Sequence, residues 1–135
     1  MTYYVVIDTN VLVSALLASR DDSPTVQIIS KMLQGHIVPV YSDEIMDEYR
    51  EVLSRKKFKF PVDAIRYLLA AIEKYGLNVS PTAIDIILLD MKDLPFYEVV
   101  MEKRMDDAYL VTGNKKHFPV EPFILTPREF LDIMK

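Results

Sequence analysis

The sequence predicts an α/β fold: three layers, α/β/α, with helices on both faces of a central parallel sheet. Two observations carry this. Short runs rich in β-branched and aromatic residues alternate along the chain with longer segments whose apolar residues recur at helical spacing. The first run, "YYVVI" at 3–7, is apolar at consecutive positions, the signature of a strand buried on both faces rather than one.

Each element has a local reason. After the first strand, Asn10 to Ala18 reads as a helix, and "SRDDSP" (19–24) ends it with turn residues. Val26, Ile28, Ile29, Met32 and Leu33 give Thr25 to Gln34 a helical pattern that Gly35 stops. "HIVPVYS" (36–42) is a short strand, and Pro39, lacking an N–H, places it at an edge or at a strand end. Ser42 or Asp43 caps the next helix, which runs to about Arg55. Pro61 opens another, with Ile65, Leu68, Leu69 and Ile72 on one face and Gly76 at its end. "NVSPTAIDIILLD" (78–90) is expected to contain at least one extended segment. Asp93 and Pro95 announce a helix through Arg104. "AYLVT" (108–112) is a strand ended by Gly113 and Asn114. "FILTPREFLDIMK" supplies a last short strand and a helix opened by Thr126 and Pro127. No repeat or low-complexity stretch interrupts this order, so residues 1–135 read as one domain.

Composition narrows the chemistry. Half of the 135 residues are hydrophobic, enough for a sizeable core. There is no cysteine, which excludes disulfides, thiolate metal sites and cysteine nucleophiles together. The start "MTYYVVIDTN" lacks the basic and long apolar stretches of a signal peptide, and no apolar run is long enough to span a bilayer. A cytoplasmic protein without a membrane partner is expected. The net charge of −4 leaves no broad basic footprint. Cations do gather at "RKKFKF" (55–60), "EKR" (102–104) and "NKKHF" (114–118); taken alone, each reads as a solvated face.

The candidate chemistry lies in carboxylates. Ligands of open parallel sheets bind beyond the carboxyl ends of the strands, where Asp8 and Asn114 both fall. For Asp8, and for Asp93 before its helix, capping is the competing explanation. Glu48 sits beside the apolar stripe of Ile45, Met46, Tyr49, Val52 and Leu53, at the boundary from which a side chain can reach the sheet top. Its plainer reading is a flank residue paired with a surface cation. Asp90 is a fourth possible contributor, whereas Asp106 and Asp107 precede a strand and fall at its opposite end. Converging acids repel one another unless something compensates. A divalent cation does so, and an all-oxygen set favours Mg²⁺ or Mn²⁺ over Zn²⁺.

Four segments in order, "VVIDTNVLVSALL", "SDEIMDEYREVLSR", "LDMKDLPFYEVV" and "AYLVTGNKKHF", resemble the PIN-domain nucleases. Within that family the chain looks most like the VapC-type ribonuclease toxins of bacterial and archaeal toxin–antitoxin pairs, over about residues 3 to 130. The resemblance implies RNA hydrolysis with Mg²⁺ or Mn²⁺ held by an acidic triad, here Asp8, Glu48 and Asp93. It places Asn114 where the pattern has Asp or Asn after "TG", which takes away a fourth anionic ligand. Asn10 and Thr112 would orient the acids. Arg55, Lys57, Lys115 and Lys116 would hold flanking phosphates, and His117 would contact a phosphate or support the acids. An RNA substrate, a cognate antitoxin and a homodimer, for which apolar residues on 65–75 could serve, are the partners it implies. Two other readings remain open: a PIN-like module that binds RNA or protein without cutting, and an aspartyl-phosphate phosphohydrolase. The second requires an acid two residues after the nucleophile, where this chain has Asn10.

Overall fold

A computed structural model describes residues 1–135. The apolar run predicted as the first strand is β1 (Tyr3–Ile7), and its Val5, Val6 and Ile7 are fully buried. The chain continues through α1 (Thr9–Leu17), α2 (Pro24–Leu33), β2 (Ile37–Tyr41), α3 (Asp43–Leu53), α4 (Val62–Tyr75) and β3 (Leu77–Asn78). A 3₁₀ turn at Met91–Asp93 leads into α5 (Leu94–Glu102), followed by β4 (Tyr109–Val111), β5 (Ile124–Leu125) and α6 (Pro127–Ile133). The five strands form one parallel sheet in the order β3-β2-β1-β4-β5, flanked by the six helices. This is the three-layer α/β class read from the sequence.

The topology selects one place for a ligand. From β1 the chain builds outward to β2 and β3, then returns to the other side of β1 for β4 and β5. The strand order therefore reverses between β1 and β4, and a crevice opens beyond their carboxyl ends. Asp8 follows β1 and Thr112 follows β4 at this point.

Local chemistry explains the helices that surround it. Ser42 caps α3 by accepting the Ile45 N–H at 3.2 Å, and Ile45, Met46, Tyr49 and Leu53 bury the stripe. Val52, counted in that stripe from the sequence, is only half-buried. Thr126 and Glu129 form a reciprocal capping box at the start of α6. Ile65, Leu68, Leu69, Ala71 and Ile72 of α4 belong to the core, while Val62 and Tyr67 are exposed. No helix is long and apolar enough to cross a membrane.

Three local expectations are corrected. Pro39 lies inside the sheet, since β2 has β1 on one side and β3 on the other. The Val79 N–H donates to Tyr41 O, so Tyr41, and with it Pro39 two residues earlier, directs its backbone groups toward β3. Pairing with β3 begins only at Val40, and the missing N–H falls where no partner strand exists. In 78–90 only Asn78 joins the sheet; the rest is irregular, with the Thr82 and Ile84 N–H groups donating to Glu102 and Glu98 side chains. The helix announced by Asp93 begins at Leu94 and ends at Glu102, short of Arg104. Gly76 is required where α4 meets β3: a Cβ there would lie 2.3 Å from the Ile72 carbonyl oxygen and 2.6 Å from that of Pro39.

Candidate active site

Asp8 sits at the end of β1, 4 % exposed, with the extended backbone of a helix N-cap but no side-chain capping bond to α1. Its carboxylate is used otherwise. Thr112, fully buried at the end of β4, donates its hydroxyl to Asp8 Oδ2 at 2.7 Å, and Asn10 Nδ2 donates to the same oxygen at 3.3 Å. Asn10 is fixed in turn: its Oδ1 accepts the Gly113 N–H at 3.0 Å, and a Cβ on Gly113 would press to 3.3 Å from that oxygen. The capping explanation for Asp8 is thereby set aside.

Glu48 projects from α3 toward the same end of the sheet. The Thr9 hydroxyl, one residue after Asp8, donates to Glu48 Oε2 in a short hydrogen bond. The neighbouring Tyr49, buried on the other flank of that helical turn, donates its phenol to the Ile7 carbonyl at the tip of β1. These two bonds pin α3 to the strand that delivers Asp8, so the spacing between the acids is set by the core. Sequence reading missed both, because Thr9 reads as a cap residue and Tyr49 as part of an apolar stripe.

Asp93 also makes no capping bond; Asp90 instead accepts the Lys92 N–H at the start of the 3₁₀ turn. Asp93 Oδ2 lies 3.2 Å from His117 Nδ1, which brings the loop after β4 onto the start of α5. Asp90 is exposed on the rim. Asn114 is exposed too; its backbone N–H donates to the Thr112 hydroxyl, and its side chain makes no hydrogen bond within the protein.

Electrostatics tie the three acids together. Burial, with added repulsion from Asp93 and Glu48, lifts Asp8 from 3.8 to about 6, against the lowering effect of the Thr112 hydroxyl. Burial also raises Glu48, opposed by the Thr9 hydroxyl and reinforced by Asp93. Asp93 is raised by burial, with His117 opposing and Asp90 adding to the rise. In each acid one oxygen is held by a protein group: Asp8 Oδ2, Glu48 Oε2 and Asp93 Oδ2. The hydrogen bonds of the protein leave Asp8 Oδ1, Glu48 Oε1 and Asp93 Oδ1 unclaimed. No side-chain oxygen or nitrogen is sealed from solvent without a partner, so the Oδ1 of buried Asp8 is not wholly enclosed.

Glu48 and Asp93 line an open cleft of about 460 Å³ together with Thr9, Asn10, Arg55, Phe58, Asp90 and Lys92. Of the cations expected to hold phosphates, Arg55 stands in this wall, paired with Glu51 at 3.0 Å. That exposed pair is weak. Lys57 lies over the Phe58 ring, Lys116 is exposed, and Lys115 is held by Glu129 at 2.9 Å. Lys92, which the sequence reading passed over, enters the same wall with no ion-pair partner.

No three acidic or histidine side chains are grouped so as to enclose a metal ion by themselves. The donors at hand are all oxygens, which suits Mg²⁺ or Mn²⁺ better than Zn²⁺. Mg²⁺ keeps several waters and is bound through one or two carboxylates plus substrate phosphates. Carboxylate oxygens without protein partners, those of Glu48 and Asp93 on an open cleft and that of Asp8 at the strand end, are compatible with that mode, and Asp8, Glu48 and Asp93 are the residues that would hold the ion, with waters and substrate completing its shell. A family model described as PIN domain matches residues 4–116, a span that contains the three acids, Asn10, Thr112 and Asn114. No curated protein matches the chain.

Proposed function

The chain belongs to the PIN-domain family, whose members are generally nucleases, and from that membership we propose that it is a Mg²⁺- or Mn²⁺-dependent endoribonuclease. The observation that carries the reading is the set of three carboxylates at the switch point, each raised chiefly by burial and each with one oxygen held by a protein group and one without a partner. Bound there, the ion would stabilise charge on the phosphoryl group and supply a water of lowered pKa. The residues do the rest. Thr112 and Asn10 hold Asp8, Thr9 holds Glu48, and His117 holds Asp93, so the free oxygens stay in one orientation. Glu48 and Asp93, on the cleft wall, would orient the attacking water, and one of the two would accept its proton. Arg55 and Lys92 bring the phosphodiester into the cleft. By resemblance the natural role is the toxin of a toxin–antitoxin pair, with a cognate antitoxin as protein partner.

Incubating the purified protein with a structured RNA pool tests this. Cleavage is expected with Mn²⁺ or Mg²⁺ and none in EDTA; undiminished cleavage in EDTA would end the metal mechanism. One observation favours the rival reading, a PIN-like module that binds without cutting: the acids do not enclose an ion by themselves. Well-folded protein that binds Mn²⁺ but cleaves no RNA would establish that reading instead. The phosphohydrolase reading loses its support, because Asn10 is committed to Asp8 and the Gly113 N–H and has no proton to give as an acid.

Asn114 offers a separate test. Its side chain is exposed and unbonded within the protein, beyond the Thr112 hydroxyl that anchors Asp8. Asn114→Asp adds a carboxylate there and is expected to tighten Mn²⁺ binding, read by calorimetric titration. Unchanged or weaker affinity would place position 114 outside the ion's reach.

A further inference from the structure

The loop between α3 and α4 departs from the rest of the molecule in both charge and packing. In a chain of net charge −4, "RKKFKF" at 55–60 places four cations in six residues, all of them exposed. Of the six phenylalanines, five are in the core or packed against it, and Phe58 alone is neither. It lines the acidic cleft with Glu48, Asp93, Arg55 and Lys92. Its ring is stacked on Phe60 with centroids 5.2 Å apart and planes 7° from parallel, and Phe60 is packed against the core. Between them Lys59 adopts a left-handed backbone, φ 56°, a costly conformation for a lysine. Backbone strain of this kind gathers at functional segments. A ring braced from behind by a core-anchored ring, at the mouth of an acidic cleft and amid cations, is how proteins hold unpaired bases.

We propose that Phe58 is a base-stacking platform that fixes which nucleotide of a bound RNA lies beside the acids. The inference rests on the reading of the cleft as an RNA site and names the residue that positions the strand in it. A duplex keeps its bases stacked on one another and presents no free face, so it gains nothing from Phe58. Lys57 lies over the Phe58 ring, its Nζ 5.1 Å from the centroid. At an exposed site such a contact is weak, so an incoming base takes the ring and the released ammonium meets the adjoining phosphate. Phe58 is a positioning residue: it fixes which nucleotide lies beside the acids and takes no part in proton transfer.

Binding is measured by fluorescence anisotropy in EDTA, which separates grip from chemistry, with a short labelled single-stranded RNA and a hairpin duplex of the same sequence. The single strand is expected to bind more tightly than the duplex. Phe58→Leu is expected to weaken the single strand about tenfold while leaving the duplex unchanged, and Phe58→Tyr, which keeps the ring, to restore it. Lys56→Gln and Lys57→Gln should each lower the salt slope of single-strand binding by about 0.7. Equal binding of the single strand by wild type and Phe58→Leu, or a duplex bound as tightly as the single strand, would overturn the platform even if the protein cleaves RNA. Phe58-dependent binding with no cleavage in Mn²⁺ would sustain the platform and remove the nuclease reading.

Discussion

Glu48→Gln and Asp93→Asn are each expected to lower Mn²⁺-dependent RNA cleavage on the order of a thousandfold, comparable to losing a group that stabilises transition-state charge. Both substitutions keep shape and most hydrogen bonding: glutamine still accepts the Thr9 hydroxyl, and asparagine still faces His117. Each removes one charge that burial already disfavours, with repulsion from Asp93 and Glu51 added at Glu48 and from Asp90 at Asp93. The folded protein should therefore be as stable as wild type, or more so, while the activity is lost. Initial cleavage rates beside melting curves for the same preparations give the comparison. A variant that cleaves at the wild-type rate would take that acid out of the chemistry, and a loss of activity that tracked a loss of folding would make its role structural.

Asp8→Asn is expected to stabilise the metal-free protein and to abolish its stabilisation by Mn²⁺. A buried carboxyl held at about 6 instead of 3.8 carries roughly 3 kcal/mol against ionisation. Between those two values the unfolded chain has released the proton and the folded chain retains it, so stability falls as pH rises through the window. Above the window the whole cost is present; below 3.8 it is gone. In EDTA at neutral pH, Asp8→Asn should raise Tm by roughly 5 °C or more, and the gain should fade on acidification through the window. Asparagine still accepts from Thr112 and suits the N-cap backbone, so little is lost in exchange. In millimolar Mn²⁺ the order reverses, because wild type gains RT ln(1 + [L]/Kd) and the variant lacks a ligand charge. A variant no more stable than wild type in EDTA, with its full shift in Mn²⁺, would leave Asp8 outside the ion site.

What the sequence by itself determined are features whose cause is local. "YYVVI" is apolar at every position and becomes a strand with a fully buried end. Ser42 stands before a 3.6-residue stripe, and Thr126 before Pro127, and each caps the helix that follows. The class follows from alternating these elements, since each must bury one face and parallel strands need helices between them. Asp8, Glu48 and Asp93 could be named because strand ends, helix starts and stripe boundaries are positions along one element.

Only the tertiary structure decided which positions meet. Thr112 reaches Asp8 across 104 residues, Thr9 reaches Glu48 across 39, and Tyr49 ties to Ile7 across 42. None has a sequence signal beyond its own element, because a hydroxyl that serves a distant carboxylate looks the same as one that caps a helix. Pro39 reads as an edge or strand-end residue for the same reason: its missing N–H limits which neighbour it can have, and the late start of β3 is what makes an interior place tolerable. Periodicity records that a face is buried. Strand order and register choose what buries it, and they alone bring three acids, each with a free oxygen, to one end of the sheet.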